Sequence, residues 1–361
     1  MSKLNRIIIT ALLIISLLSG TLSASALSIE QEQKLCDTGE YLKNNITPQV
    51  GSIGGEWVVI GLSRSGMFSE AQKQAYCDAV KAYAASKGTN RLHSRKSSDN
   101  SRVILALSAV GKDPGSIAGY DLTEPLADFD FVKTQGINGV IWALIALDSC
   151  NYYLQNDCRD QMLGELLSAQ HIDGSWGLDE NADPDVTGMA LQALAPYRKY
   201  DTNIQNAVEK ALLWLDSLSF DLLSPESCAQ LIVAYTTLGI APNTGLIDSM
   251  MRYSVPNGFA HTLNGEYNQM ATEQAYYALA ACRRFENGEN ALYDMSDVAD
   301  YTVLDLDGDA QESINDATYI QRYLAEFEVS FTTPMKRTAD LNKNGKVDIG
   351  DVTLYQQYLA R

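Results

Sequence analysis

Six times between Glu56 and Cys282 the chain carries a run of Ala, Leu, Ile, Val and aromatic residues with almost no polar face. Trp57-Val58-Val59-Ile60-Gly61-Leu62, Val140 to Leu147 and Met189 to Leu194 are examples. A helix that is apolar all round must be buried on every side, so these segments cannot be surface helices. Anchored on Glu56, Ser101, Asn138, Thr187, Ser227 and Thr272, they recur at intervals of 37–49 residues. Repeats of that length signal stacked helix pairs. Segments between them, such as 69–86 and 203–218, are amphipathic and can face water. Periodicity and turn punctuation predict twelve helices, near 28–46, 53–65, 69–86, 97–111, 122–135, 137–150, 159–170, 185–197, 203–218, 224–240, 244–255 and 270–286. The expected fold class is all-α: an α/α toroid of about six helix pairs, with an open solenoid as the alternative.

With 46% hydrophobic residues, a chain of 361 residues can bury a sizeable core. A net charge of -18 argues against nucleic acid and against an anionic membrane surface as partners. Lys3 and Arg6, the apolar run Ile7 to Leu18 and the small residues Ala24-Ser25-Ala26 predict a signal peptide over 1–26, hence export without membrane insertion. The six cysteines match no zinc spacing. Cys150 and Cys158 could close a short disulfide loop, but most of the six lie in apolar stretches and suit small buried side chains.

Gln170-His171-Ile172-Asp173-Gly174-Ser175-Trp176 is a Gln-x3-Gly-x-Trp segment that follows an outer helix and precedes an inner one. It resembles the QW motif of the squalene cyclase and prenyltransferase superfamily. Gly136-Ile137-Asn138-Gly139 and Thr272-Glu273-Gln274-Ala275 look like further repeats of that kind. The resemblance covers roughly residues 30–290 and implies a toroid with a central funnel, with Gln170 and Trp176 as structural fasteners. Its activities find no matching residues. Asp183-Pro184-Asp185-Val186 lacks the Asp-x-Asp-Asp acid of a cyclase. His93, His171 and His261 form no zinc arrangement of a prenyltransferase, and no Gly-Cys-Gly-Glu-Gln thioester occurs.

Beyond Asp297 the texture changes to acidic loops, each leading into a helix. Asp340 to Asp351 is a twelve-residue loop offering Asp340, Asn342, Asn344 and Asp351 at positions 1, 3, 5 and 12. Lys346 adds a backbone carbonyl at position 7, Asp348 a carboxylate at position 9, and Gly345 the sharp turn at position 6. Asp305 to Asp316 repeats the design with Asp305, Asp307, Asp309, the backbone of Gln311, and Asp316. Calcium takes six to eight oxygens, and such loops supply them. Here Ala310 replaces the glycine and Glu312 stands where the second loop has Val347, so the first site is expected to be the weaker. Two such copies in register resemble the type I dockerin of cellulosome-like complexes. That resemblance implies two calcium ions and a cohesin domain of a scaffoldin as partner. It places cohesin contacts on Ile314, Asn315, Gln321 and Arg322 in one copy and Ile349, Gly350, Gln356 and Gln357 in the other.

The expected organisation is signal peptide 1–26, toroid 27–290, linker 291–300 and dockerin 301–361. If the toroid is right, Glu56, Arg102, Asn138, Asp185, Glu226 and Glu273 ring one mouth of the funnel, as helix caps or as a binding site. Tyr267, Tyr276 and Tyr277 could line a sugar cleft or belong to the core. The expected function is a secreted component of a cellulosome-like complex whose toroid binds a glycan, small ligand or protein in polysaccharide breakdown. The alternative is a carbohydrate-active enzyme, a glycoside hydrolase or polysaccharide lyase.

Overall fold

The computed structural model describes residues 27–51, 53–152, 154, 157–298, 305–307, 311–327, 329, 331–342 and 344–360. The expected signal peptide, Asp309 and Ala310 lie outside them. Helices dominate: α1 (Ile29–Asn45), α2 (Glu56–Arg64), α3 (Glu70–Lys87), α4 (Ser97–Ala109), α5 (Phe129–Lys133), α6 (Gly136–Ser149), α7 (Cys158–Ser168), α8 (Pro184–Leu194), α9 (Thr202–Leu215), α10 (Pro225–Thr237), α11 (Thr244–Met251) and α12 (Gln269–Glu286). Two differences from expectation have local causes. Pro125 opens a 3-10 turn, Glu124–Ala127, so 122–135 does not run as one helix. The eleventh helix stops at Met251, and the strands Ser254–Val255 and Gly258–Phe259 form a small hairpin.

The apolar helices are the inner ones. Every residue of α6 from Gly139 to Ser149 is buried, as is every residue of α10 from Pro225 to Thr236. Helices α2, α4, α6, α8, α10 and α12 each pack against the next, and α12 returns to pack against α2. Helix α1 covers α2 and α12, α7 covers α6, α9 covers α8 and α11 covers α10. Close approach needs glycine at some crossings: a Cβ on Gly139 would sit 2.2 Å from the Val132 carbonyl oxygen.

Residues 291–298, expected as linker, are packed. Leu292 and Met295 are fully buried, and Asp297 accepts from both Arg64 (2.7 Å) and Arg284 (2.6 Å). The reason is aromatic: the ring of Tyr293 meets Trp57, Trp142 and Tyr277 at centroid distances of 6.4, 6.0 and 6.5 Å. No disulfide joins any of the six cysteines, five of which are buried.

A second, separate core is built from Leu306, Ala317, Ile320, Ala339, Val352 and Tyr355. It lies among α13 (Ile314–Leu324), α14 (Thr333–Ala339) and α15 (Ile349–Leu359), with α13 packed on α15. Helix α14, a short helix between the two loop-helix copies, is not among the helices that periodicity predicts. Among the described residues no helix is long and apolar enough to cross a membrane.

Candidate functional site

Inner-helix N-termini surround a cleft of about 360 Å³. Trp57, Trp142 and Tyr277 supply its aromatic surface, with Trp57 and Trp142 tilted together at 4.8 Å. Amides line the walls: Gln135, Asn138, Gln230 and Gln274. Gln230 Nε2 donates to Tyr277 Oη at 2.7 Å and to Gln274 Oε1 at 3.1 Å, so these groups are held in place before a ligand arrives. The charged lining is Lys96, Asp99, Arg102 and Asp185. Arg102 pairs with Asp99 at 2.8 Å. Burial pushes the Asp185 carboxyl above its ordinary range, opposed by a hydrogen bond from Ser227 and helped by the charges of Asp183 and Glu226.

Of the six residues proposed for the funnel mouth, Arg102, Asn138 and Asp185 line this cleft. Glu56, Glu226 and Glu273 do not line it; all three are buried. Glu56 accepts from Gly51 N–H at 2.7 Å and Glu273 from Gly54 N–H at 3.0 Å, so the pair fastens the loop before α2. Burial raises both carboxyls, Glu273 to about 7. Glu226 meets His261 Nδ1 at 2.8 Å. Tyr277 reaches the cleft, whereas Tyr276 is core, its hydroxyl 2.6 Å from Ser65 Oγ. Half-buried Tyr267 donates to Gln269 Oε1.

The Gln-x3-Gly-x-Trp segment ties elements together. Gln170 Nε2 donates to the carbonyls of Gly174 (2.9 Å) and Ala207 (2.8 Å), the latter on α9. Trp176 is fully buried and its indole N–H donates to the Leu166 carbonyl at 2.8 Å, on α7.

In the C-terminal segment the first loop brings oxygens of Asp305, Asp307 and Asp316 within 4.8 Å of one another. Asp316 is fully buried. Its Oδ1 accepts from Leu306 N–H at 2.6 Å and its Oδ2 from Ser313 N–H at 2.8 Å. Tyr355, from α15, donates to the same Oδ2 at 3.1 Å and so locks one copy to the other. In the second loop Asp340 and Asp351 are buried. Asn344 N–H lies 3.1 Å from Asp340 Oδ1 and 3.0 Å from Asn342 Oδ1, which places those two oxygens side by side. Asp351 accepts from Asn342 and Asp348 N–H.

The first loop's donor set is all oxygen, and clustered carboxylates repel unless a cation neutralises them, so this loop fits calcium. Asp305, Asp307 and Asp316 would hold an ion there; Asp340, Asn342, Asn344 and Asp351 give the second loop an oxygen set of the same kind. Ser313 and Asp348, at position 9, also cap α13 and α15, each in a capping box with the position-12 aspartate. The box is legible in the sequence as Ser/Asp-x-x-Asp, Ser313 with Asp316 and Asp348 with Asp351. Of the eight residues assigned to cohesin contact, Ile314, Asn315, Gln321, Arg322, Ile349, Gln356 and Gln357 are exposed and Gly350 is half-buried.

The fold and loops define the C-terminal segment as a small helical module built from two acidic loop-helix copies. Residues 303–360 match the family model for the dockerin type I domain. No curated protein and no solved structure matches the chain at a significant level. The C-terminal segment is thus a dockerin type I domain, the calcium-binding module that attaches its chain to an extracellular cellulosome-type complex through a cohesin.

Proposed function

We propose that residues 27–298 form an α/α toroid that binds a carbohydrate at one open mouth, delivered by the dockerin to polysaccharide breakdown. The observation that carries this reading is the cleft itself: amide and charged walls around Trp57, Trp142 and Tyr277. Sugar rings present apolar C–H faces and a rim of hydroxyls, which suits a pocket with aromatic surface and convergent polar groups. The cycle of inner helices supports the toroid, and Tyr293 packs edge-on against Trp142 of the cleft. In the same reading two calcium ions order the dockerin, and the two exposed helix faces beginning at Ile314 and Ile349 take the cohesin. The chain is exported.

One observation favours the alternative, a glycoside hydrolase or polysaccharide lyase: two carboxylates, Asp99 and Asp185, share the cleft in different electrostatic settings. A glycan array with the full chain, run beside a reducing-sugar and unsaturated-product assay, separates the readings. Binding without turnover, lost in Trp57→Ala, is expected. Turnover lost in Asp185→Asn would establish the enzyme instead. No binding to any glycan would overturn both.

A further inference from the structure

The helical domain reaches into the dockerin at one of its metal ligands. Tyr200 Oη donates to Asp340 Oδ2 at 2.7 Å, and Gly345 N–H donates to the same oxygen at 2.7 Å. Asp340 Oδ1 and Asn342 Oδ1 share one donor, the Asn344 N–H, at 3.1 and 3.0 Å, so the hold on Oδ2 helps fix the carboxylate beside the next side-chain oxygen of the loop.

This contact is one of a continuous set. Three successive residues of the helical domain touch the second loop or the α14 helix that leads into it: Lys199 packs against Gly345, where an added Cβ would lie 3.1 Å from Lys199 Cδ. Tyr200 holds Asp340, and Asp201 Oδ2 accepts from Thr333 Oγ1 at 3.1 Å. On the other flank Arg337 of α14 donates to Asn151 Oδ1 and to the Asp148 carbonyl, both at 2.9 Å. Thr338 Oγ1 donates to Asn151 Oδ1 at 3.1 Å. Helix α14 runs directly into Asp340, its C-cap residue. The seat and the loop's first ligand are therefore directly continuous in the chain.

We propose that Tyr200 is a positioning residue for the second calcium loop, so that calcium binding and the seating of the dockerin on the helical domain reinforce each other. The inference rests on the reading that this loop binds calcium. Groups that orient a metal's ligands typically change affinity by roughly 10–100-fold when removed. Coupling between two events is reciprocal, so whatever seating adds to calcium affinity, calcium adds to seating.

The test is calcium titration calorimetry on the full chain and on Tyr200→Phe and Arg337→Gln, with hydrogen exchange measured with and without chelator. The wild type is expected to show two binding events. In Tyr200→Phe one event should weaken by about 10-fold, at the lower end of that range because Gly345 still holds Oδ2, while the other is unchanged. Arg337→Gln, which leaves Asp340 untouched, should weaken the same event, and it keeps the test alive if Tyr200→Phe fails to fold. Chelation should speed exchange at residues 197–201 of the wild type. Two wild-type events that neither variant alters would overturn the coupling while leaving the calcium reading intact. A single wild-type event that tracks the first loop would overturn both.

Discussion

Gly174 and Glu273 show how single residues hold this molecule to its shape. Gly174 has φ +98°, and an added Cβ would lie 2.5 Å from the Lys210 carbonyl oxygen. Gly174→Ala should therefore cost about 1–3 kcal/mol for the backbone conformation, with the clash in addition, read by chemical unfolding. Glu273 ordinarily titrates near 4.5 and is pushed up to about 7, chiefly by burial. The folded chain thus keeps a proton that the unfolded chain has released. This group's contribution is fully present below about pH 4.5 and is lost as pH rises through about 7, a difference of roughly 3 kcal/mol. Unfolding free energies at pH 5 and pH 8 should show that slope flattened in Glu273→Gln. Position 273 was expected at the mouth because it begins an inner helix. Its burial was not legible, because the loop carrying Gly54 that covers it comes from the other end of the helical domain's sequence.

At the scale of elements, paired faces make a definite expectation. Ile314 and Ile349 open α13 and α15 and are 56% and 65% exposed, unusual for isoleucines at the start of amphipathic helices. If either face can take the cohesin, Ile314→Asp or Ile349→Asp alone should leave calcium-dependent binding, and the double variant should abolish it, as measured by surface plasmon resonance. The inner helices were readable because apolar residues on every side admit only a buried helix. Helix α14 was not. Its seven residues carry Lys336 and Arg337 and too little periodicity to stand out, and what positions it is contact with Asn151 and Asp148. The element after α12 was misread for a related reason. Residues 291–298 are polar enough to pass for a linker, yet Leu292, Tyr293 and Met295 are buried in the core.

For the whole molecule, two separate hydrophobic cores predict two unfolding units. The dockerin core is small, and a ligand present at about 1,000 times its Kd stabilises a folded unit by roughly 4 kcal/mol. Chelator should therefore lower the dockerin's transition in differential scanning calorimetry and leave that of the helical domain nearly unmoved. The direction in which the molecule presents itself follows from one helix. Asn138, near the start of α6, lines the cleft, whereas Asp148, at its far end, receives Arg337 of the dockerin. Ten residues of helix separate them, about 15 Å along the axis. The cleft thus opens away from the point of attachment.

The tandem loops and the all-apolar helices could be read from residue types alone, because calcium ligation and complete burial each demand particular side chains at fixed spacing. Local order of that kind needs no knowledge of neighbours. Which mouth-side acids face the cleft depended on the tertiary structure, since Glu226 and Glu273 are buried with partners on loops remote in sequence. So did the roles of Trp57 and Trp142, which sit in apolar runs that suit a core equally well. The packing of Tyr293 against Trp142 and the grip of Tyr200 on Asp340 belong to the same class. Each joins residues far apart along the chain, and only the packing of the elements that carry them brings their atoms together.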